Sequence, residues 1–282
     1  MSSRRMIVVR SLAFHLVFYA NLAGQMLVFL PVFFFVPEET CWRIVKNWAR
    51  SSLWILRHVA GLRTVIEGQA NIPAGGAMIA SKHQSFWETF ALIPHLTRPA
   101  FILKKELMAI PVFGWYAKRL RMIPVDRAKR GAVLASLLGA VREAVDEGRH
   151  IVIFPEGTRS EPGATPNYRP GVHFLYSELS LTIVPVAVNS GLFWPRKAFR
   201  REPGTIRAKF LPAIGPGLER APFIERLRCE IEAGSMALLR AAYAERAELP
   251  MSELVAARLA EPIVDPADCV TVPSPAAAPA DL

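Results

Sequence analysis

Between Ser11 and Val36 the chain runs for 26 residues without an Asp, Glu, Lys or Arg. As one continuous helix such a run would reach about 39 Å, more than the roughly 30 Å hydrocarbon core of a bilayer. A cleavable leader is one competitor, because Arg4, Arg5 and Arg10 form a basic start. Against it, the apolar run is too long and no small-x-small cleavage pattern follows Phe33-Phe34-Phe35. Asn21, Gly24 and Gln25 interrupt the middle of the run and Pro31 its second half. Basic residues flank it on both sides, Arg4, Arg5 and Arg10 before and Arg43, Lys46 and Arg50 after. Charge flanking therefore gives no clear single crossing. The expectation is a re-entrant or in-plane helical hairpin that turns at Asn21–Gln25 and keeps both flanks on one membrane face.

The stretch from Trp42 to Leu62 continues the pattern. Val45, Trp48, Leu53, Leu56 and Val59 recur at helical spacing, and Arg43, Lys46, Arg50 and Arg57 recur on another face. This reads as a basic amphipathic helix at a lipid interface, with a helix packed on the domain as the plainer alternative. The net charge of +10 is divided unevenly. Residues 1–63 carry eight basic and two acidic side chains, 104–130 eight and two, and 192–210 six and one, whereas 229–282 carry three and nine. Basic blocks of this kind suit anionic partners: lipid headgroups, phosphorylated substrates or nucleic acid. Cys41, Cys229 and Cys269 lie far apart and form no CxxC pair, so free thiols in a reducing compartment are expected, with no structural zinc.

After Gly61 short β runs alternate with helical ones. Strands are expected at 62–67, 77–81, 100–103, 121–125, 151–154, 182–188 and 205–211. Helices are expected at 85–96, 106–118, 129–147, 171–179 and about 222–244. Alternation of this kind predicts an α/β fold: a mixed, largely parallel sheet of about seven strands flanked by helices, preceded by the N-terminal membrane-associated helical segment. The 282 residues divide into an anchoring segment at 1–62, an α/β domain at 63–250 and a flexible tail at 251–282.

Four segments carry chemistry. Ser81-Lys82-His83-Gln84-Ser85-Phe86-Trp87-Glu88 follows an apolar strand, so His83 stands where open α/β sheets place ligands. With His83 in the turn and Glu88 in the first helical turn, the carboxylate can reach the imidazole and fix its tautomer. Ser85-x-x-Glu88 is also a literal capping box, which explains Ser85 and Glu88 without catalysis but leaves His83 unexplained. No G-x-S-x-G elbow, P-loop or HExxH occurs. A histidine–carboxylate pair without a protein nucleophile implies that a substrate hydroxyl attacks, with His83 as its general base. The second segment, Ile151–Ser160, ends a strand in a tight turn with Glu156, Gly157 and Arg159. Gly157 permits φ > 0, and Arg159 offers a planar fork suited to phosphate, unless Glu156 and Arg159 form only a surface ion pair. The third, Phe101–Trp115, places Lys104 and Lys105 at a strand end, where solvated charge is the usual explanation. The fourth, Val184–Gly191, is an apolar strand closing on a polar turn.

Together, HQSFWE, KKELMAIPVFGW, FPEGTRS and VPVAVNSG resemble, in order and spacing, the four blocks of the 1-acylglycerol-3-phosphate acyltransferase family. Ile123-Pro124-Val125-Asp126-Arg127 is similar to that family's hydrophobic-Asp-Arg element, and Tyr168-Arg169-Pro170-Gly171 to its basic-x-Gly element. Glu88 departs from the pattern, which more often has Asp there. The resemblance implies that His83, oriented by Glu88, deprotonates the sn-2 hydroxyl of lysophosphatidic acid for attack on the acyl thioester of acyl-CoA or acyl carrier protein, giving phosphatidic acid. It implies that Glu156, Gly157, Thr158 and Arg159 bind the lysophosphatidate and that Lys104, Lys105 and Arg127 are secondary anionic contacts. No metal or other cofactor is implied. The expected partners are these substrates and an anionic membrane surface, not nucleic acid. The expected location is the inner membrane with the catalytic part on the cytoplasmic side. Another acceptor, such as a lyso-ornithine lipid, and a non-catalytic membrane scaffold are the alternatives.

Overall fold

A computed structural model of the chain describes residues 3–126, 132–265 and 268–271. Arg127 and the Pro/Ala-rich end from residue 272 lie outside these described residues.

The uncharged run forms one helix, α1 (Ser3–Phe33), that passes through Gly24 and Pro31 without a break. The expected turn at Asn21–Gln25 is absent. Those polar side chains instead join α1 to the next helix, α2 (Glu38–Ile55). Asn21 Nδ2 donates to Ser51 Oγ at 3.1 Å and to Ser52 Oγ at 3.2 Å, and Gln25 Nε2 donates to Ser51 Oγ at 2.9 Å. A buried amide that finds partners on a neighbouring helix has no need to open its own. The hairpin therefore exists, but its corner is at residues 34–37 and its second arm is α2. A single π turn, Leu56–Ala60, extends α2 to the sheet.

One stripe of α1 is buried on the domain. Phe14 and Phe18 pack against Phe86, Phe90 and Trp194, and Phe33 stacks on Tyr116 with ring centroids 4.0 Å apart. Arg10 Nε donates to the Val59 carbonyl at 2.8 Å. From Arg10 to Phe33 is about 35 Å of helix, held against the domain at both ends. By length and composition the helix is long and apolar enough to cross a membrane, and here it lies along its own domain. Its opposite side is exposed and apolar, with Leu12, Leu16, Leu27 and Val28.

The sheet has seven strands in the order β1-β7-β6-β2-β5-β3-β4. They are β1 (Leu62–Glu67), β2 (Ala77–Ser81), β3 (Ala100–Lys104), β4 (Ile123–Val125), β5 (His150–Ile153), β6 (Ile183–Val188) and β7 (Gly204–Phe210). Every pairing is parallel except β6 with β7. The central strands β2 and β6 are buried at every residue, which is why they read as unbroken apolar runs. One face carries α1 and α2. The other carries α5 (Ala132–Asp146), α6 (Gly171–Glu178) and the first half of α8 (Arg220–Glu245) through Leu137, Val141, Leu175, Phe223 and Leu227.

Several expected helices are shorter. The 85–96 segment holds only α3 (Glu88–Ala91) and a 3₁₀ turn at Ile93–His95, because Pro94 interrupts it. The 106–118 segment is a 3₁₀ turn and then α4 (Phe113–Arg119), divided at Pro111. Gly114 is required there: a Cβ on it would stand 2.1 Å from the Met108 carbonyl oxygen. A last short helix in the sheet layer, α7 (Ser190–Phe193), follows β6.

Two expectations about the C-terminal region are corrected. The supposed flexible tail contains α9 (Glu253–Ala260), capped by Ser252 Oγ accepting from the Val255 N–H and seated by buried Val255. The cysteines are not all free. Cys229 on α8 and Cys269 form a disulfide, because the chain after α9 folds back and brings their Cα atoms to 5.7 Å. Cys41 remains a buried free thiol.

Candidate active site

β2 and β5 are neighbours in the sheet and parallel, so the loops at their carboxyl ends meet. The β2 loop brings Lys82 and His83, and the β5 loop brings the turn from Phe154 to Ser160. Four bonds join them. Lys82 Nζ is 2.9 Å from Glu156 Oε1, the His83 N–H donates to Glu156 Oε2 at 3.4 Å, and the Ser160 N–H donates to the His83 carbonyl at 2.9 Å. The fourth is Ser160 Oγ to the His83 carbonyl at 3.3 Å, and within its own turn the same hydroxyl reaches Glu156 Oε2 at 3.0 Å. Glu232, from α8, holds Lys82 from the other side at 2.6 Å and accepts from the Tyr168 hydroxyl at 3.2 Å. Burial and the neighbouring Glu232 and Glu156 carboxylates push the Tyr168 phenol well above its ordinary pKa, so it stays a donor.

Glu88 is fully buried at the start of α3. It accepts from the Gln84 N–H at 3.1 Å, the Ser85 N–H at 3.1 Å and Ser85 Oγ at 3.1 Å, and from the Ser190 hydroxyl. Ser85 Oγ in turn accepts from the Trp87 N–H at 2.8 Å. Only the return half of the capping box is made: the Glu88 carboxylate accepts from the Ser85 N–H, while Ser85 Oγ takes the Trp87 rather than the Glu88 N–H. Glu88 Oε2 also lies 3.7 Å from His83 Nδ1. His83 Nδ1 is shielded and makes no hydrogen bond among the described residues, the Glu88 carboxylate being its nearest charged neighbour. The ring stacks on Phe154 with centroids 3.9 Å apart, which fixes its plane. A carboxylate facing Nδ1 favours the Nδ1–H tautomer and leaves Nε2 as the basic nitrogen.

The fourth segment explains itself in this geometry. Ser190 reaches Glu88, the Gly191 N–H donates to Gln84 Oε1 at 3.0 Å, and Asn189 Oδ1 accepts the Arg207 N–H at 2.7 Å. Its polar turn thus braces the His83 loop from the β6 side.

His83 opens into a cavity of about 870 Å³. Its walls are apolar and come from α1 and α2 (Leu22, Met26, Trp42), from β3 (Phe101, Ile102, Leu103) and from α5 and α6 (Leu137, Val172, Leu175). Its polar side carries Thr158, Arg159, Arg169, Arg196 and Lys104. Gly157 lines it with φ +67°, the left-handed conformation that lets the turn close.

The sequence-derived candidates therefore separate into groups. His83, Glu156, Gly157, Thr158, Arg159 and Lys104 line the cavity, and Glu88 stands directly behind His83. Glu156 spends both oxygens on Lys82, His83 and Ser160, so it binds the turn together. The ion pair considered between Glu156 and Arg159 is not formed. Lys104 is exposed and paired with Glu106 at 3.1 Å. Lys105 does not line the cavity and lies 3.6 Å from Asp126. Lys82, Glu232 and Arg196 carry no role from sequence, although the basic block at 192–210 hints at Arg196; Arg169 reads only as part of the basic-x-Gly element. Among the described residues no cluster of three or more His, Cys, Asp or Glu is placed to hold a metal ion.

A buried carboxylate behind a histidine, beside an arginine-lined mouth of a large apolar cavity, is an arrangement that can offer a base to a hydroxyl beside room for an apolar chain. The acyltransferase family model matches residues 63–189. A 1-acyl-sn-glycerol-3-phosphate acyltransferase of Pseudomonas aeruginosa is 36% identical over 202 residues, covering 70% of this chain and 79% of that protein. A Helicobacter pylori protein of the same name is 30% identical over 166 residues, covering 58% of this chain and 70% of that one. The crystal structure of the 1-acyl-sn-glycerophosphate acyltransferase from Thermotoga maritima superposes with a TM-score of 0.69 at 21% identity, over 82% of this chain and 97% of that one. The chain belongs to the 1-acyl-sn-glycerol-3-phosphate acyltransferase family and is an acyltransferase.

Proposed function

We propose that the protein transfers an acyl chain from a thioester donor, acyl-CoA or acyl carrier protein, to the sn-2 hydroxyl of lysophosphatidic acid, giving phosphatidic acid. The observation that carries this reading is the His83–Glu88 pair, 3.7 Å apart, at the mouth of an apolar cavity whose polar side includes Arg159. His83 Nε2 takes the proton of the acceptor hydroxyl as its oxygen forms a bond to the thioester carbon. The carbon–sulfur bond then breaks, and the leaving thiolate recovers the proton from the imidazolium. Glu88 stabilises that imidazolium through Nδ1. No cofactor is called for by this chemistry. Arg159 binds the acceptor phosphate, and Gly157 and Thr158 shape the turn around it. Glu156 acts by positioning this turn against His83. Lys104, Lys105 and Arg127 are secondary contacts for anionic groups.

The exposed apolar side of α1 supports a protein that lies in one leaflet, with Arg43, Lys46, Arg50 and Arg57 of the α2 arm near anionic headgroups. Because both donors are cytosolic, this reading has the enzyme act at the cytoplasmic face of the inner membrane. Incubation of the purified chain with lysophosphatidate and labelled acyl-CoA or acyl carrier protein, followed by lipid separation and sn-2-selective hydrolysis, tests the proposal. Label in phosphatidic acid that is released from sn-2 supports it. Label at another position, in another lysolipid only, or in free fatty acid contradicts it.

A further inference from the structure

Three arginines gather on one turn of the cavity mouth, and the proposed acceptor phosphate accounts for only one of them. Arg159 is on the turn itself. Arg169 donates its backbone N–H to the Pro155 carbonyl at 2.8 Å, and its Cγ stands 3.5 Å from where a Cβ on Gly157 would lie, so it covers the turn's glycine. Arg196 arrives from the connection between α7 and β7, beyond the residues matched by the family model. Its Nη1 donates to Thr158 Oγ1 at 3.3 Å and lies 3.5 Å from the Arg159 carbonyl. All three line the cavity that contains His83.

Among the described residues, Arg159, Arg169 and Arg196 have no carboxylate within ion-pair distance; other arginines such as Arg50 and Arg63 share that state, and what distinguishes these three is their common position on the cavity that holds His83. The Nε and Nη2 atoms of Arg196 also make no hydrogen bond among the described residues. A guanidinium carries five donors in a fixed fork, so Arg196 leans on the turn with one nitrogen and holds the rest free. Uncompensated charge focused at a low-dielectric cavity mouth draws an anion.

Reach decides which anion. The Ser160 N–H is bonded to the His83 carbonyl, so the turn bearing Arg159 and holding Arg196 is adjacent to the catalytic loop. In lysophosphatidate only a few bonds separate the attacking oxygen from phosphorus. In a pantetheine thioester the whole pantetheine arm separates sulfur from the nearest phosphate. The acceptor's phosphate is the one within reach. A phosphomonoester carries about −1.5 to −2 charges and three strong acceptor oxygens. A phosphodiester headgroup has one charge and one fewer free oxygen, so a third fork gains less from it.

We propose that Arg196, with Arg159 and Arg169, closes a three-arginine clasp that selects a phosphomonoester lysolipid over lysolipids whose phosphate is a diester. This rests on the transfer reading above and names the feature that sets its acceptor class. Arg196 is exposed, so its substitution leaves the fold intact.

The test compares wild type, Arg196→Gln and Arg196→Lys as full chains in mixed micelles, with lysophosphatidate and with lysophosphatidylglycerol as acceptors. Arg196→Gln should raise KM for lysophosphatidate about ten- to a hundredfold, the span expected for lost hydrogen bonds to a charged group. The KM for the acyl donor, the melting temperature and the slow rate on lysophosphatidylglycerol should not move, and Arg196→Lys should fall between. Wild-type KM for lysophosphatidate should rise below about pH 6, where the phosphate takes up its second proton, and this rise should flatten in Arg196→Gln. An unchanged KM for lysophosphatidate, a change in donor KM instead, or equal losses on both acceptors would overturn the clasp and leave the transfer reading standing. A wild-type chain that acylates neither acceptor would overturn the transfer reading and the clasp with it.

Discussion

Glu88→Gln separates capping from catalysis at one atom. The Oε1 position accepts from the Gln84 and Ser85 N–H groups and from the Ser190 hydroxyl, all of which a glutamine carbonyl can satisfy. The Oε2 position faces Ser85 Oγ, His83 Nδ1 and the Ser85 N–H, the last of which Oε1 also accepts. A glutamine amide placed there would find an acceptor in Ser85 Oγ, so the helix start survives. Conversion of charged to neutral hydrogen bonds should cost about 1–2 kcal/mol of stability. At His83 the same amide donates toward Nδ1 and forces the ring proton onto Nε2, the nitrogen that must accept the substrate proton. Wrong-tautomer and lost-base effects are typically about 10²–10⁴-fold, or roughly 3–5 kcal/mol of transition-state stabilisation. Glu88→Asp keeps a charged acceptor and should lose less than Gln. The assay is kcat/KM for acyl transfer to lysophosphatidate, with thermal melting alongside. A Gln variant that melts within a few degrees of wild type and retains more than a tenth of its turnover would refute the reasoning and leave Glu88 as a cap.

Two further predictions address the frame of the site. Lys82 is 2% exposed and neutralises both Glu156 and Glu232. Lys82→Met strands the buried Glu156 and the half-buried Glu232 and should cost about 3–5 kcal/mol in urea unfolding; a loss under 1 kcal/mol would contradict the assigned pairing. His150, 2% exposed, accepts the Thr97 N–H at Nδ1 and faces the Pro73 carbonyl with Nε2, and burial lowers its pKa. Above an unfolded-state pKa of about 6.5 both states are neutral there and His150 adds no pH dependence. Below it the unfolded chain binds a proton that the folded chain resists, so stability falls as pH drops from about 6.5 toward the lower folded pKa. The urea midpoint should decrease between pH 7 and pH 5, and less so in His150→Asn; an identical decrease in both proteins would assign the effect elsewhere.

The seven strands were legible because each is a short apolar or β-branched run bounded by turn residues, and β2 and β6 are buried on both faces. His83 was legible for a related reason: it follows such a strand directly. The rest depended on contacts that local pattern does not encode. Asn21 and Gln25 look like breaks until Ser51 and Ser52 are seen opposite them. Glu232 lies 150 residues from the Lys82 it holds, and Cys229 is separated from Cys269 by 40, so neither partnership has a spacing signal. Helix lengths were overestimated where Pro94 and Pro111 sit inside periodic runs that tertiary packing divides. Ser190 and Asn189 read only as a strand end, yet their side chains brace Glu88 and β7.

The central claim is that His83 is the base for a lipid hydroxyl, and His83→Ala addresses it most directly. The side chain is 15% exposed and its backbone bonds to Glu156 and Ser160 do not require the ring, so the fold and its membrane association should persist. Acyl transfer from a labelled thioester donor to lysophosphatidate should fall by about 10²–10⁴-fold, with the melting temperature unchanged. A folded, membrane-bound His83→Ala protein that keeps more than a tenth of wild-type transfer would contradict the account.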